Sequence, residues 1–249
     1  MAAGLAAGFI NVLAGNGSLI SLPALIFIGL PPGVANATNR VSIVFQNLVG
    51  GTSFHRQGKL DARGALMLSI PMVLGSTMGA LIAVDVNDQV FRQVLAVAMI
   101  VMLVLMLIKP ERWIAGKPGA VNSRLTLARF IIFFAIGVYG GFLQAGVGIF
   151  LLVALVLEAG YDVVRANAVK VVVTLASAVV SLAIFSANQK VNWTAGLVLA
   201  TGSMVGAWLA TRYAADKGAA WVRLFVIVVV AVSAAQLLGV LDWLRRLLA

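Results

Sequence analysis

Long apolar segments dominate this sequence and set the first limit on its fold. Eight of them are long enough to cross a bilayer and lie near residues 2–29, 34–54, 64–84, 90–108, 125–157, 164–187, 193–213 and 220–241. Hydrophobic residues make up 62% of the chain and charged residues only 10%, so a soluble fold would leave too much apolar surface in water. The sequence therefore predicts an all-α polytopic membrane protein whose solvent is the lipid bilayer.

The net charge of +10 has a simple origin in such a protein. Lys and Arg collect in the short loops between spans, as the positive-inside rule expects, and no aromatic stacking platform accompanies them, so we expect no nucleic-acid partner. The chain has no cysteine and one histidine, which leaves too few ligands for a metal cluster. No nucleophile–base pair appears, and Gly15-Asn16-Gly17-Ser18 lacks the lysine of a phosphate loop. We expect neither an enzyme nor a cofactor.

The two halves of the chain resemble each other in sequence. A glycine-containing break recurs inside the first and fifth apolar segments, and an Asn follows each break at the same distance. One constant offset in residue number, called here the repeat spacing, relates Gly15 to Gly146, Gly17 to Gly148, Gly29 to Gly160, and Asn36 to Asn167. This pattern predicts two homologous repeats, residues 1–108 and 125–249, joined by a polar linker at 109–124.

The repeats can be parallel or inverted, depending on what the broken segments do. If all eight segments cross, the halves are parallel, and Lys plus Arg divide 11 to 7 between the two faces. If the first and fifth segments turn back at their glycines, each half has three crossings, the halves are inverted, and the division is 13 to 5. The positive-inside rule favours the inverted arrangement, in which both termini face outward.

The glycine breaks are candidate binding sites for an anion. Unwound backbone within a membrane exposes N–H groups at the start of the next half-helix, and that end carries partial positive charge. A side-chain amide precedes each break. The candidate residues are Asn11, Gly15, Asn16, Gly17 and Ser18 in the first half, and Gln144, Gly146 and Gly148 in the second. The alternative is that small residues merely let helices approach closely. This alternative suits the spaced pairs Gly75/Gly79 and Gly202/Gly206.

A second polar group follows each break on one helical face. Its members are Asn36, Asn39 and Arg40 in the first half, and Asn167, Lys170 and Thr174 in the second. A charge within a span is costly and suggests a functional site. Both cations lie only a turn or two from a helix end, however, so snorkelling to the interface is an open alternative. All carboxylates fall at or near predicted loops, so the membrane interior is polar and positive, which favours an anionic substrate over a cation.

Two stretches also resemble a known family. The stretch GFINVLAGNGSLISLPALIFIGLPPGVANATNR, followed by FHRQGKLD, and the later GVYGGFLQAGVGIFLLVALVLEAGYDVVRANAVK resemble the repeats of the sulfite exporter TauE/SafE family. The resemblance implies a permease in the prokaryotic cell membrane that moves small anions such as sulfite, sulfoacetate or other organic acids. The first break departs from the family's run of three glycines, because Asn16 stands between Gly15 and Gly17.

The expected function is therefore secondary transport of a small anion by alternating access. A passive anion channel and a membrane partner subunit without transport activity are the alternatives. The sequence leaves open the anion, the direction of transport, a coupling ion and a homo-oligomer.

Overall fold

A computed structural model describes residues 1–107, 125–213, 227–228 and 230–236. These residues are helical, with no strand among them, and residues 230–236 form part of a further helix. The helices are α1 (Ala2–Ala14), α2 (Ser18–Phe27), α3 (Pro32–Arg56), α4 (Ala62–Asp85), α5 (Asp88–Leu107), α6 (Leu127–Phe142), α7 (Val147–Leu157), α8 (Val163–Ala187) and α9 (Trp193–Tyr213). The predicted linker at 109–124 and most of the predicted span at 220–241 lie outside the described residues.

The first apolar segment is two short helices, not one span. Helix α1 has 13 residues and α2 has 10, so their lengths are about 20 and 15 Å, against a hydrocarbon core of about 30 Å. Gly15 ends α1 in the left-handed conformation, with φ of 74°. The chain then turns back along α1. This is shown by the short distance from Gly17 to Asn11: a side-chain carbon added to Gly17 would lie 2.6 Å from the Cβ of Asn11.

The fifth segment has the same construction. Helix α6 ends at Phe142, and α7 begins after Gly146, whose φ is 75°. The Tyr139 ring packs edge-to-face on the Phe150 ring, with 5.4 Å between centroids, and the Tyr139 hydroxyl donates to the carbonyl of Ala145 at 2.6 Å. Since residues before and after the break contact each other, α7 also turns back along α6.

Long helices form the membrane-crossing part of each half. Four of them are long and apolar enough to span a bilayer: Ala62–Asp85, Asp88–Leu105, Val163–Ala187 and Trp193–Arg212. Helix α4 carries a stripe of exposed apolar side chains that suits contact with lipid. Leu66, Ile70, Leu74 and Met78 recur every four residues and are all at least half exposed. Helix α3 has 25 residues, or about 38 Å, and is long enough to cross. Its interior is much more polar than theirs because it carries the amides and Arg40.

Contacts between loops place the helix ends. The hydroxyl of Tyr161, between α7 and α8, donates to a carboxylate oxygen of Asp61, between α3 and α4, at 2.6 Å. These loops therefore lie at one end of the bundle. At the other end, Met1, Ile28 and Asn192 line a shared pocket. Eight full crossings would put Tyr161 and Asp61 on opposite faces of the membrane, and would likewise separate Ile28 from Met1 and Asn192. The contacts therefore fit three crossings per half, with α1–α2 and α6–α7 as hairpins that enter and leave on one side.

Backbone features recur at the repeat spacing found in the sequence. Every positive φ among the described residues belongs to a pair related by that spacing: Gly15 and Gly146, Gly29 and Gly160, and Gly58 and Gln189. Helices α3 and α8 begin and end at the same spacing. Gln189 supplies, as a non-glycine residue, the left-handed turn that Gly58 makes in the first half.

Close helix packing accounts for the spaced glycine pairs. Gly75 and Gly79 of α4 lie against the backbone of α6, and Gly202 and Gly206 of α9 lie against that of α1. An added Cβ on any of the four would overlap a backbone carbonyl of the facing helix, so these glycines allow contact of backbones. Trp208 of α9, by contrast, does not pack within the bundle. It is 42% exposed, and the Arg212 guanidinium lies 4.1 Å from its ring.

Candidate functional site

The two glycine breaks meet at the centre of the bundle. A side-chain carbon added to Gly15 would lie 2.6 Å from both the Cα and the carbonyl carbon of Gly148. The start of α7 thus touches the end of α1, while α2 begins shortly after Gly15, at Ser18. The N-termini of two half-helices, each with N–H groups that have no acceptor within the helix, are therefore close together. Any side chain larger than a hydrogen at Gly15 or Gly148 would force them apart.

Arg40 crosses from the first half to cap the broken helix of the second. Its Nη1 donates to the carbonyl of Gly140 at 2.7 Å and to Oε1 of Gln144, and its Nη2 donates to the carbonyl of Gly141 at 2.8 Å. Asn36 donates to the carbonyl of Phe142 at 2.9 Å. These carbonyls end α6 and have no partner within the helix, so side chains of α3 satisfy them.

Lys170 has the corresponding position in the other direction. From α8 its Nζ donates to the carbonyls of Asn11 at 3.0 Å and Val12 at 3.4 Å, at the end of α1, and to Oδ1 of Asn167 at 2.7 Å. Each cation therefore caps the C-terminal, partially negative end of the broken helix in the opposite half. Lys170 aligns with Asn39 at the repeat spacing, so the two cations are related in role but not in register.

Both cations are buried and lack a carboxylate partner. Arg40 is 1% exposed and Lys170 is 2% exposed, and they are the only charged side chains buried among the described residues. Snorkelling to the interface is thus the wrong alternative. The five acidic residues in the described part of the chain, Asp61, Asp85, Asp88, Glu158 and Asp162, lie at helix ends or in loops, and the ion pair found there is Arg165 with Asp162 at 3.7 Å.

Several buried polar atoms around the breaks have no hydrogen-bond partner. The N–H donors among them are Nδ2 of Asn39, Nε of Arg40 and Nδ2 of Asn47, and the amide acceptors are Oδ1 of Asn16, Asn36 and Asn47 and Oε1 of Gln46. Oδ1 of Asn39 is occupied, because it accepts from the Ser21 hydroxyl at 2.6 Å, and Ser21 lies in the first turn of α2. The free amide Nδ2 of Asn39 is therefore held beside the first break, and the free guanidinium Nε of Arg40 is held beside the second. An unsatisfied buried donor is costly unless something occupies it.

The structure brings most of the sequence-predicted residues to this centre. Those that are buried there are Asn11, Gly15, Asn16, Gly17, Ser18, Asn36, Asn39, Arg40, Gln144, Gly146, Gly148 and Lys170. Thr174 is also buried, one helical turn after Lys170 on α8. Asn167 is only half-buried, and its amide oxygen serves Lys170.

Two residues of the site were missed by sequence reasoning. Ser21 orients the Asn39 amide, and the Phe185 ring lies 5.6 Å from the Arg40 guanidinium carbon. The sequence does contain a sign of each: Ser21 lies one helical turn after Gly17, and Phe185 matches Phe54 at the repeat spacing.

No group of three metal-ligating side chains is found in the part of the chain that the structure describes. The centre instead holds two buried positive charges and several side-chain amides whose unpartnered atoms include both donors and acceptors.

Comparisons with known proteins place the chain among membrane transporters. The family model described as "Sulfite exporter TauE/SafE" matches residues 1–237. A "Probable membrane transporter protein YfcA" of Escherichia coli K12 is 30% identical over 252 aligned positions, covering 96% of this chain and 90% of the relative. A "Probable membrane transporter protein ORF9" of a Sinorhizobium species is 29% identical over 235, covering 94% and 88%. No solved structure matches the chain significantly.

The match covers nearly the whole chain and includes both breaks and both buried cations. The polytopic helical architecture is that of an integral membrane protein, and the relatives are described as membrane transporters. The chain belongs to the sulfite exporter TauE/SafE family of membrane transporters.

Proposed function

We propose that the protein transports a small anion, such as sulfite, sulfoacetate or another small organic acid, by alternating access. The observation that carries this proposal is the pair of buried cations, Arg40 and Lys170, without a buried carboxylate among the described residues. Charges held away from water without a counter-ion are costly, and an anion from solution offsets that cost when it binds. A cationic substrate would add to it.

The anion binds on the Arg40 side of the centre. The carbonyls of Asn11 and Val12 and the amide oxygen of Asn167 occupy all three donors of Lys170. Lys170 therefore attracts the anion electrostatically but donates no hydrogen bond to it. Arg40 has a free Nε, and the adjacent Asn39 has a free Nδ2. These two donors supply hydrogen bonds to an oxyanion, and the Arg40 charge strengthens them.

The two halves, residues 1–108 and 125–249, act as inverted repeats on either side of this site. Support comes from the positive-φ pairs related by the repeat spacing and from loop contacts that fit two turned-back hairpins. Each half holds a cation that caps the other half's broken helix, so rocking one half against the other moves each cap relative to the break it contacts.

Flux into proteoliposomes tests the proposal. Labelled sulfite and sulfoacetate should enter with saturable kinetics, and anion loaded inside should accelerate uptake by exchange. Arg40→Gln should abolish saturable uptake, whereas Arg165→Gln, which removes an exposed arginine from the start of α8, should leave it unchanged. If no oxyanion shows saturable uptake, the substrate class is wrong. If flux never saturates and shows no exchange, the protein is a passive channel.

A further inference from the structure

A small cavity at one end of the bundle is separated from Arg40 by the Phe185 ring. It has a volume of 70 Å³ and is lined by residues from three loops and helix ends, among them Gly33, Val34, Asp88, Phe185 and Lys190. The Phe185 ring contributes to its wall and is also the ring that lies 5.6 Å from the Arg40 guanidinium carbon. One buried side chain, only 1% exposed, therefore touches both the cavity and the cation.

From this arrangement we infer that the cavity is the vestibule by which an anion reaches Arg40, and that the Phe185 ring is the gate between them. The inference rests on the proposed anion transport. In the closed position the ring covers the guanidinium with its π face, a favourable cation–π contact that keeps water from the charge. Rotation of this one side chain away from Arg40 joins the vestibule to the free Nε.

Two charged side chains of opposite sign line the vestibule. Lys190 is exposed at its wall and attracts anions from solution. Asp88 also lines it, but its Oδ1 accepts the Gly33 N–H at 3.0 Å, which ties the carboxylate to the start of α3. The carboxylate thus has a structural partner, whereas Lys190 has no ion-pair partner in the described part of the chain.

The repeat provides matched controls. Phe54 and Lys59 precede Phe185 and Lys190 by the repeat spacing, with the same pair of side chains at the opposite end of the bundle. Phe54 is buried, but it packs in a separate apolar cluster with Val171, the residue that aligns with Arg40. Removing Phe54 therefore creates a comparable cavity in a different apolar cluster.

Cysteine accessibility tests the gate without requiring transport, because the native chain contains no cysteine. Ser21→Cys places a thiol beside Asn39, beyond the gate, and Val34→Cys places one in the vestibule. In purified protein, a water-soluble thiol reagent should label the Val34→Cys thiol readily and the Ser21→Cys thiol slowly. Adding Phe185→Ala should accelerate labelling at position 21 about tenfold by shifting the gate towards its open state, and Phe185→Leu should give an intermediate rate. Phe54→Ala should have no effect.

Unchanged labelling at position 21 in both Phe185 variants overturns the inference, as does equal acceleration by Phe54→Ala. Flux gives a second readout. Lys190→Gln should raise the KM for sulfite that enters from the vestibule side roughly threefold at low salt, and less at high salt. Lys59→Gln, at the opposite end of the bundle, should have a smaller effect on this KM. A KM unchanged by Lys190→Gln removes the vestibule from the route. If labelling responds as expected but no oxyanion is transported, the gate stands and the proposed substrate class fails.

Discussion

Replacement of Arg40 by Lys separates charge from geometry at the proposed anion site. The guanidinium holds the carbonyls of Gly140 and Gly141 through its two terminal nitrogens and keeps Nε free. An ammonium preserves the positive charge but is a single point, so it cannot cap both carbonyls and also offer a donor to an anion. We therefore expect Arg40→Lys to bind anion more weakly although its net charge is unchanged.

The magnitude follows from the number of hydrogen bonds lost. One charge-assisted hydrogen bond contributes about 1.5–3 kcal/mol, so its loss weakens anion binding roughly 10- to 150-fold. Arg40→Met removes the charge as well, which costs about 2–5 kcal/mol in comparable buried pairs, or roughly 30- to 5,000-fold. The expected order of affinity is thus wild type, then Arg40→Lys, then Arg40→Met.

Titration calorimetry of the purified protein with sulfite at fixed ionic strength measures these affinities. Arg165→Gln is the control, since Arg165 is exposed and its partner Asp162 lies at a helix end. Size-exclusion profiles and helical circular dichroism establish that each variant is folded. An Arg40→Lys protein that binds sulfite within threefold of wild type would refute the geometric reasoning, and retained binding by Arg40→Met would refute the site itself.

Three further variants test the contacts that hold the centre together. Gly15→Ala should destabilise the protein by about 2–5 kcal/mol, the sum of a left-handed non-glycine residue and the overlap with Gly148, whereas Gly58→Ala, also left-handed but in open space, should cost only about 1–2 kcal/mol. Unfolding midpoints that fall equally would contradict the contact. Tyr161→Phe should remove the hydrogen bond that joins the α7–α8 loop to Asp61. A cysteine introduced between α3 and α4 should then react with a thiol reagent about fivefold faster, because the lost hydrogen bond contributes about 1 kcal/mol. Burial raises the pKa of Asp61, but hydrogen bonds from Tyr161 and from backbone N–H groups outweigh it and leave the pKa below its usual 3.8. The contact should therefore hold at neutral pH and be lost only as acid protonates Asp61, and nuclear magnetic resonance of the carboxyl should show a higher pKa in Tyr161→Phe.

The sequence by itself determined the solvent of this protein and the position of its unusual residues. Hydropathy indicated a helical membrane protein, because continuous apolar segments of about 20 residues suit helices, which pair their own backbone within the bilayer. The repeat spacing between the glycine breaks located both left-handed turns, since few residues other than glycine adopt that conformation. The two cations within spans were equally visible, because each interrupts an apolar pattern.

Only the tertiary structure decided which way the chain runs after each break and where the cations point. The apolar segment at 2–29 is long enough to cross a bilayer or to form a hairpin, and hydropathy has no direction, so the choice depends on contacts such as that between Tyr161 and Asp61. The donors of Arg40 reach carbonyls in the other half of the chain, which no local pattern encodes. The break at Gly15 alone exposes a few N–H groups; its contact with Gly148 is what gathers two helix ends into one site.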